Sequence, residues 1–284
     1  MANANKIPVF EVVSESYGFA FRNIGEIFWA SALPFIVLAG AQFLVNRMVI
    51  DAQLAMLEGR DSAAFSMTIV AGGLANGLIQ AALVGIVAAA LHRMVLFGER
   101  APRLRFGPVE RKFILASVVF GLALIVPGLL LFLVTPPVPE PSGSVAGIML
   151  LMLVICILSV FFMMVFPIIV AEGKIDTRRS LALMSGNWWR FVGVNIVAGM
   201  PVVILGIVIA AALQDAPFTP GAAQSLAELK SALIFQKETA LAMAAMDFVL
   251  TVIITAVGVG VLSFSYKALN GQPLSATLDT PPPE

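Results

Sequence analysis

Asp247 stands in an otherwise apolar run, Leu241 to Tyr266. An acid at such a position is costly unless it carries a proton, an ion or a partner, so a coupling-ion role is one reading of it. Interfacial placement, or local pairing with Lys237 or Arg47, is the other. Asn76 and Gln80 are four residues apart in a second apolar run. Their amides need partners, either as glue between helices or as a substrate site. His92 is the single histidine. It follows that run beside Arg93, where interfacial solvation or a phosphate contact explains it without catalysis. Arg93, Arg100, Arg103, Arg105, Arg111 and Lys112 form the densest basic patch. Such a patch draws anionic lipid headgroups at about 1 kcal/mol per residue near the surface, and it is also a topology signal.

Other chemistry finds no support. There is no Gly-x-x-x-x-Gly-Lys-Ser/Thr loop for a nucleotide and no His-Glu-x-x-His or carboxylate cluster for a metal. No Gly-x-Ser-x-Gly elbow is present. A paired intramembrane acid and base are absent as well. Cys156 is the one cysteine, which excludes an intramolecular disulfide and a dithiol site. The reading is therefore not an enzyme, and no cofactor is implied.

These residues must be positioned by helices in a membrane. Apolar residues make up 60% of the 284 and charged residues 12%, with a mean hydropathy of +0.98. Soluble domains run near 45–50% and about 25%. Net charge is zero, which gives no case for nucleic acid. Stretches of about 20 apolar residues can cross the hydrocarbon layer as helices. Six qualify: Ile27–Val45, Ser66–Leu91, Phe113–Val134, Val145–Ala171, Phe191–Leu213 and Leu241–Tyr266. The first residues carry Glu11, Glu15, Arg22 and Glu26 and lack a cleavable leader's pattern, so the first run is expected to stay as an anchor.

Basic residues set the orientation. The patch from Arg93 to Lys112, together with Lys174, Arg178, Arg179 and Arg190, falls on the side of both termini. Arg47, Arg60, Lys230 and Lys237 fall opposite. Both termini are expected in the cytoplasm. The division is 1–26 as an amphipathic segment, 27–271 as the six-helix domain and 272–284 as a disordered tail.

Finer patterns suggest how the helices pack. Gly73, Gly77, Ala81, Gly85 and Ala89 recur every four residues and let a neighbouring helix approach closely. Pro34, Pro127, Pro167 and Pro201 predict bends. Gly98, Gly173 and Gly271 predict helix stops. Three surface helices are expected. The first is Pro8–Ile24, with Val9, Val13, Tyr17, Phe21 and Ile24 on one stripe. The second is capped by Asp176 and ended by Gly186 and Asn187. The third lies within Ala222–Thr239, on Leu226, Leu229 and Leu233.

Several stretches together resemble a known group. They are Ser16-Tyr17-Gly18-Phe19-Ala20-Phe21-Arg22-Asn23, Leu124-Ile125-Val126-Pro127-Gly128, Phe166-Pro167-Ile168-Ile169-Val170-Ala171-Glu172-Gly173, and Arg178 through Arg190 with Asn187-Trp188-Trp189. The layout is similar to the six-helix bacterial inner-membrane proteins related to the membrane domain of glycerophosphoryl diester phosphodiesterase, including the YciC-like proteins. The resemblance implies an all-α membrane fold. It implies no hydrolytic activity, because nothing here corresponds to the soluble phosphodiesterase domain. The expected function is a membrane scaffold or accessory subunit with a lipid-handling role. Its expected partners are membrane lipids and a membrane protein. The alternative is a small-solute or ion-coupled transporter. It requires Asn76, Gln80, Asn195, Thr251, Thr255 and Asp247 to converge on one water-accessible cavity.

Overall fold

The structure, a computed structural model, describes residues 6–59, 62–99, 104–134, 154–155, 157, 159–213 and 226–274. Within these, the side chains of 62–69, 124–134, 209–213, 226, 228 and 229 are not described. All regular structure among the described residues is helical: α1 Val9–Arg22, α2 Ile24–Leu57, α3 Ser62–Phe97, α4 Pro108–Val134, α5 Val165–Glu172, α6 Thr177–Met184, α7 Trp188–Leu213, α8 Leu226–Glu238 and α9 Ala240–Leu269.

Among the described residues, four helices are long and apolar enough to cross a membrane: Ile24–Leu57, Val70–Phe97, Trp188–Val208 and Ala240–Leu269. They coincide with the expected first, second, fifth and sixth spans. The expected third falls on α4, whose far half has no described side chains. The first third of the fourth, 145–153, and positions 156 and 158 lie outside the described residues, leaving a shorter apolar helix, Ser159–Glu172. Helix α9 has 30 residues and so is about 45 Å long. That covers the roughly 30 Å hydrocarbon layer and both headgroup zones.

Helices α2 and α3 run antiparallel: a methyl at Gly72 would meet Val45 Cγ1 at 3.2 Å. Helices α8 and α9 run antiparallel to α2. Phe248 meets Phe28 edge-on at 6.0 Å, and Lys237 pairs with Asp51 at 2.6 Å. It follows that α3 and α9 are parallel. One end of the bundle, here the basic end, holds Arg93, Lys112, Lys174, Arg179 and Lys267. The opposite end carries the pairs Lys237–Asp51 and Lys230–Glu58. The core gathers toward the basic end, around Phe19, Ile27, Leu91, Met94, Ile168, Phe191 and Ala256. Large apolar side chains such as Trp29, Leu33, Ile36 and Ile207 stay exposed on the outer faces, as the bilayer's hydrocarbon requires.

Helix α1 differs from the expected surface helix. Its buried face is Val12, Ser16, Phe19 and Ala20, whereas Phe21 is 66% exposed. The small residues of this face decide the contact, because they let α1 lie directly on α9. Tyr17 Oη also donates to the Ala198 carbonyl of α7 at 2.7 Å. The expected cap at Asp176 and the three glycine stops fit their elements. Asp176 Oδ1 accepts from the Arg179 backbone N–H at 2.9 Å and starts α6. Gly98, Gly173 and Gly271 each follow a helix at a positive φ, a conformation that favours glycine.

Candidate functional site

A cleft of about 320 Å3 opens between α3, α4, α5 and α9. Helix α3 supplies its back wall from one helical face: Gly77, Gln80, Ala81, Gly85, Ala88 and His92. The facing walls are Phe113, Ser117 and Gly121 of α4, Phe166 of α5, and Val259 and Leu262 of α9. Gly77 to His92 is about four turns, or ~22 Å along the helix. The lining is apolar apart from Gln80 at the exposed rim, Ser117, and His92 in the interior.

The small-residue stripe explains why there is room. At Gly85 it packs closely, with Phe113, Ile114 and Ser117 within 3.4–3.6 Å of a would-be Cβ. Ala81 and Gly77, one and two turns nearer the start of α3, face the cleft. Gly73 is exposed, with nothing within 4 Å. The stripe thus serves helix packing at one level and makes space above it.

His92 is fully buried. Its Nδ1 lies 2.6 Å from Ser263 Oγ of α9, and its ring tilts against Phe113 at 5.6 Å. Its Nε2 has no partner among the described residues. Ser16 and Ser31 donate to carbonyls four residues back, at 2.6 and 2.7 Å. Ser263 makes no such bond, so among the described residues its hydroxyl proton has one acceptor, His92 Nδ1. In the reverse direction that hydroxyl proton has no acceptor there, whatever the cleft holds. With Ser263 donating, the ring carries its proton on Nε2, a donor that a single acceptor in the cleft would satisfy.

Arg93 is buried beside His92. Its guanidinium pairs with Glu110 at the start of α4 and approaches Glu99 at 3.6 Å. Glu110 also accepts from the Gly107 backbone N–H at 2.9 Å. Burial alone would raise the Glu110 carboxyl. The backbone N–H groups of Glu110 and Gly107 and the Arg93 guanidinium outweigh it and hold the carboxyl below its ordinary 4.5. Lys112 Nζ donates to the Gly173 carbonyl at 2.6 Å. Arg105 and Arg111 are exposed and make no ion pair among the described residues. Arg100 and Arg103 lie outside those residues. The basic patch is thus divided between an internal tie, a loop contact and two free surface arginines.

Glu172, at the end of α5, gathers a second cluster. It accepts from Tyr266 Oη at 3.0 Å and pairs with Arg179 at 2.8 Å and Lys174 at 3.4 Å. Lys174 also reaches Asp176 at 3.2 Å. Hydrogen bonds that Lys174 donates to Asp176 and then to Glu172 raise its ammonium above its ordinary value.

Of the residues named for a polar path, Gln80 lines the cleft and Asn76, Asn195, Thr251, Thr255 and Asp247 do not. Asn195 donates to the Phe191 carbonyl of its own helix at 2.8 Å. Asp247 is half-buried and pairs with neither candidate: Lys237 is engaged by Asp51, and Arg47 sits over Phe43. Asn76 Oδ1 is buried without a partner among the described residues. Asn76 and Asp247 precede His92 and Ser263 by equal intervals on parallel helices, so they stand at one level, far from the histidine. No group of three or more His, Cys, Asp or Glu that could hold a metal occurs among the described residues.

Sequence reading had singled out the stripe, the amides and the arginines separately. It missed the His92–Ser263 bond and the hubs at Glu110 and Glu172. The available clue was a lone histidine on the same face as Gly77, Ala81 and Gly85. The chain matches no protein-family model, no curated protein and no solved structure.

Proposed function

We propose that this chain is a non-catalytic accessory protein of a bacterial inner membrane that holds a lipid in the cleft between α3, α4, α5 and α9. In this reading it has six spans, with both termini and the basic end in the cytoplasm, and it is related to the glycerophosphoryl diester phosphodiesterase membrane domain. The observation that carries the reading is the cleft itself: about 320 Å3, almost wholly apolar in its lining, and within the length of the spanning helix α3. Small-molecule pockets begin at about 300 Å3, so the volume admits part of a lipid. Exposed Arg105 and Arg111 stand at the end where anionic headgroups would lie.

The transporter reading is supported by one observation, the shared level of Asn76 and Asp247. The dispersal of Asn195, Gln80 and Asp247 weighs against it, because a polar path needs them together.

The test is purification in native-lipid particles followed by mass spectrometry of what is retained, for the wild type and for Ala81→Phe, which fills the cleft. The expected result is one lipid class held through washing and reduced at least tenfold in the variant. Equal retention by a folded Ala81→Phe protein would remove the cleft from the function. A stoichiometric protein partner in the same preparation would name the pathway it serves.

A further inference from the structure

We propose that the cleft takes a single hydrocarbon chain whose carbonyl oxygen accepts a hydrogen bond from His92 Nε2. This rests on the lipid-holding reading and deepens it to a recognition chemistry.

Three observations converge. First, the size and lining suit one hydrocarbon chain. A cleft of about 320 Å3 runs along roughly four turns of helix, about 22 Å, the order of length of one extended chain. Phe113, Phe166, Val259 and Leu262 give it hydrocarbon walls. Second, the polar demand is for an acceptor. His92 is fully buried and lines the cleft, and its Nε2 has no partner among the described residues. When Ser263 donates across its 2.6 Å contact with Nδ1, that nitrogen is the donor, and one acceptor there satisfies the polar groups of both residues. An unpaired buried donor is costly, so a ligand oxygen that meets it gains selectively over plain hydrocarbon. A carbonyl suits a neutral donor in apolar surroundings, whereas a free phosphate would bring charge into a site without a facing cation. Third, the depth fits. His92 is the residue before Arg93, whose pair with Glu110 closes the basic end. That is the border of the apolar layer, where lipid ester carbonyls lie.

The same chemistry is offered by the acyl ester of a membrane lipid and by the ring carbonyl of a prenylated quinone. Because His92 is the only histidine, ring-15N histidine labelling of the full chain yields one imidazole. Its spectrum is compared in three bilayer particles: ester-linked phosphatidylethanolamine and phosphatidylglycerol, their ether-linked analogues, and the ether-linked lipids plus a quinone. The expected result is a protonated Nε2 whose proton resonance moves downfield in ester lipid and returns in ether lipid. A move seen only when quinone is added supports the proposal with the quinone as the source. Identical spectra in all three would overturn it. The lipid-holding reading is judged separately, because Ala81→Phe can still abolish retention in washed native particles when His92 senses no carbonyl.

Discussion

Ser16 of α1 lies so close to Gly260 of α9 that a methyl on the glycine would stand 2.9 Å from the Ser16 Cα. The clash is with backbone, so it cannot be relieved by turning a side chain. Gly260→Ala should therefore push α1 off the bundle or strain both helices, at a cost of about 1–3 kcal/mol. The expected outcome is a lower thermal midpoint and faster proteolysis near Arg22. Gly258 is two residues away with nothing within 4 Å. Gly258→Ala serves as the control and should leave both readouts unchanged.

The Arg93–Glu110 tie predicts an acid-sensitive end. The carboxyl of Glu110 sits below its ordinary 4.5 in the folded chain. Its contribution is therefore complete above that ordinary value and is lost as pH falls through the folded value. Glu110→Gln should cost about 3–5 kcal/mol at pH 7, since it leaves a buried guanidinium short of a partner. The gap between wild type and variant should shrink below about pH 4.5. A thermal-unfolding series from pH 7 to 3.5 measures it; a gap that stays constant would dissociate Glu110 from the effect.

Ser263 is a positioning residue for His92. Ser263→Ala should cost about 1 kcal/mol for the lost bond and free the imidazole to exchange tautomers. The expected signature is a second, Nδ1-protonated population in the 15N spectrum of the single histidine. A spectrum unchanged from wild type would show that Ser263 does not hold the ring.

Asp247 stands without an ion pair or hydrogen bond among the described residues. If it serves no transport, replacing it by an apolar residue removes a penalty for an acid within a span, put at about 2.5–3.5 kcal/mol at a helix centre and less toward an end. Asp247→Leu should raise the thermal midpoint in lipid particles and leave lipid retention intact. A fall in the midpoint would reveal a partner and move weight to the transporter reading.

What the sequence discloses here follows the range of the forces involved. Apolar length alone marks α2, α3, α7 and α9, because crossing hydrocarbon is a requirement each segment meets by itself. Local geometry is likewise plain: Asp176 caps α6 through a bond three residues away, and Gly173 ends α5. The face of α1 is not plain, since Phe21 is more apolar than Ser16 and only the position of Gly260 makes the smaller residue the buried one. Arg93 reads as a surface charge until Glu110, across an intervening loop, is brought to it. His92 and Ser263 are 171 residues apart, and no periodicity in either helix connects them. The stripe at Gly77, Ala81 and Gly85 is visible as spacing, but spacing does not say whether a neighbour fills the room it leaves.

The two ends of the bundle are fastened unequally. The basic end is bound by buried Arg93 and Glu110, by Glu172 with three partners, and by the helix α1 laid against α9. Among the described residues, the opposite end shows the pairs Lys230–Glu58 and Lys237–Asp51, both partly in solvent, where such pairs contribute about 0–1 kcal/mol each. Helices α2 and α3 have 34 and 36 residues, longer than a bilayer needs. When the host membrane thickens or thins, that surplus length lets α2 and α3 tilt to follow it, while the buried pair of Arg93 and Glu110 keeps the histidine end of the cleft in register.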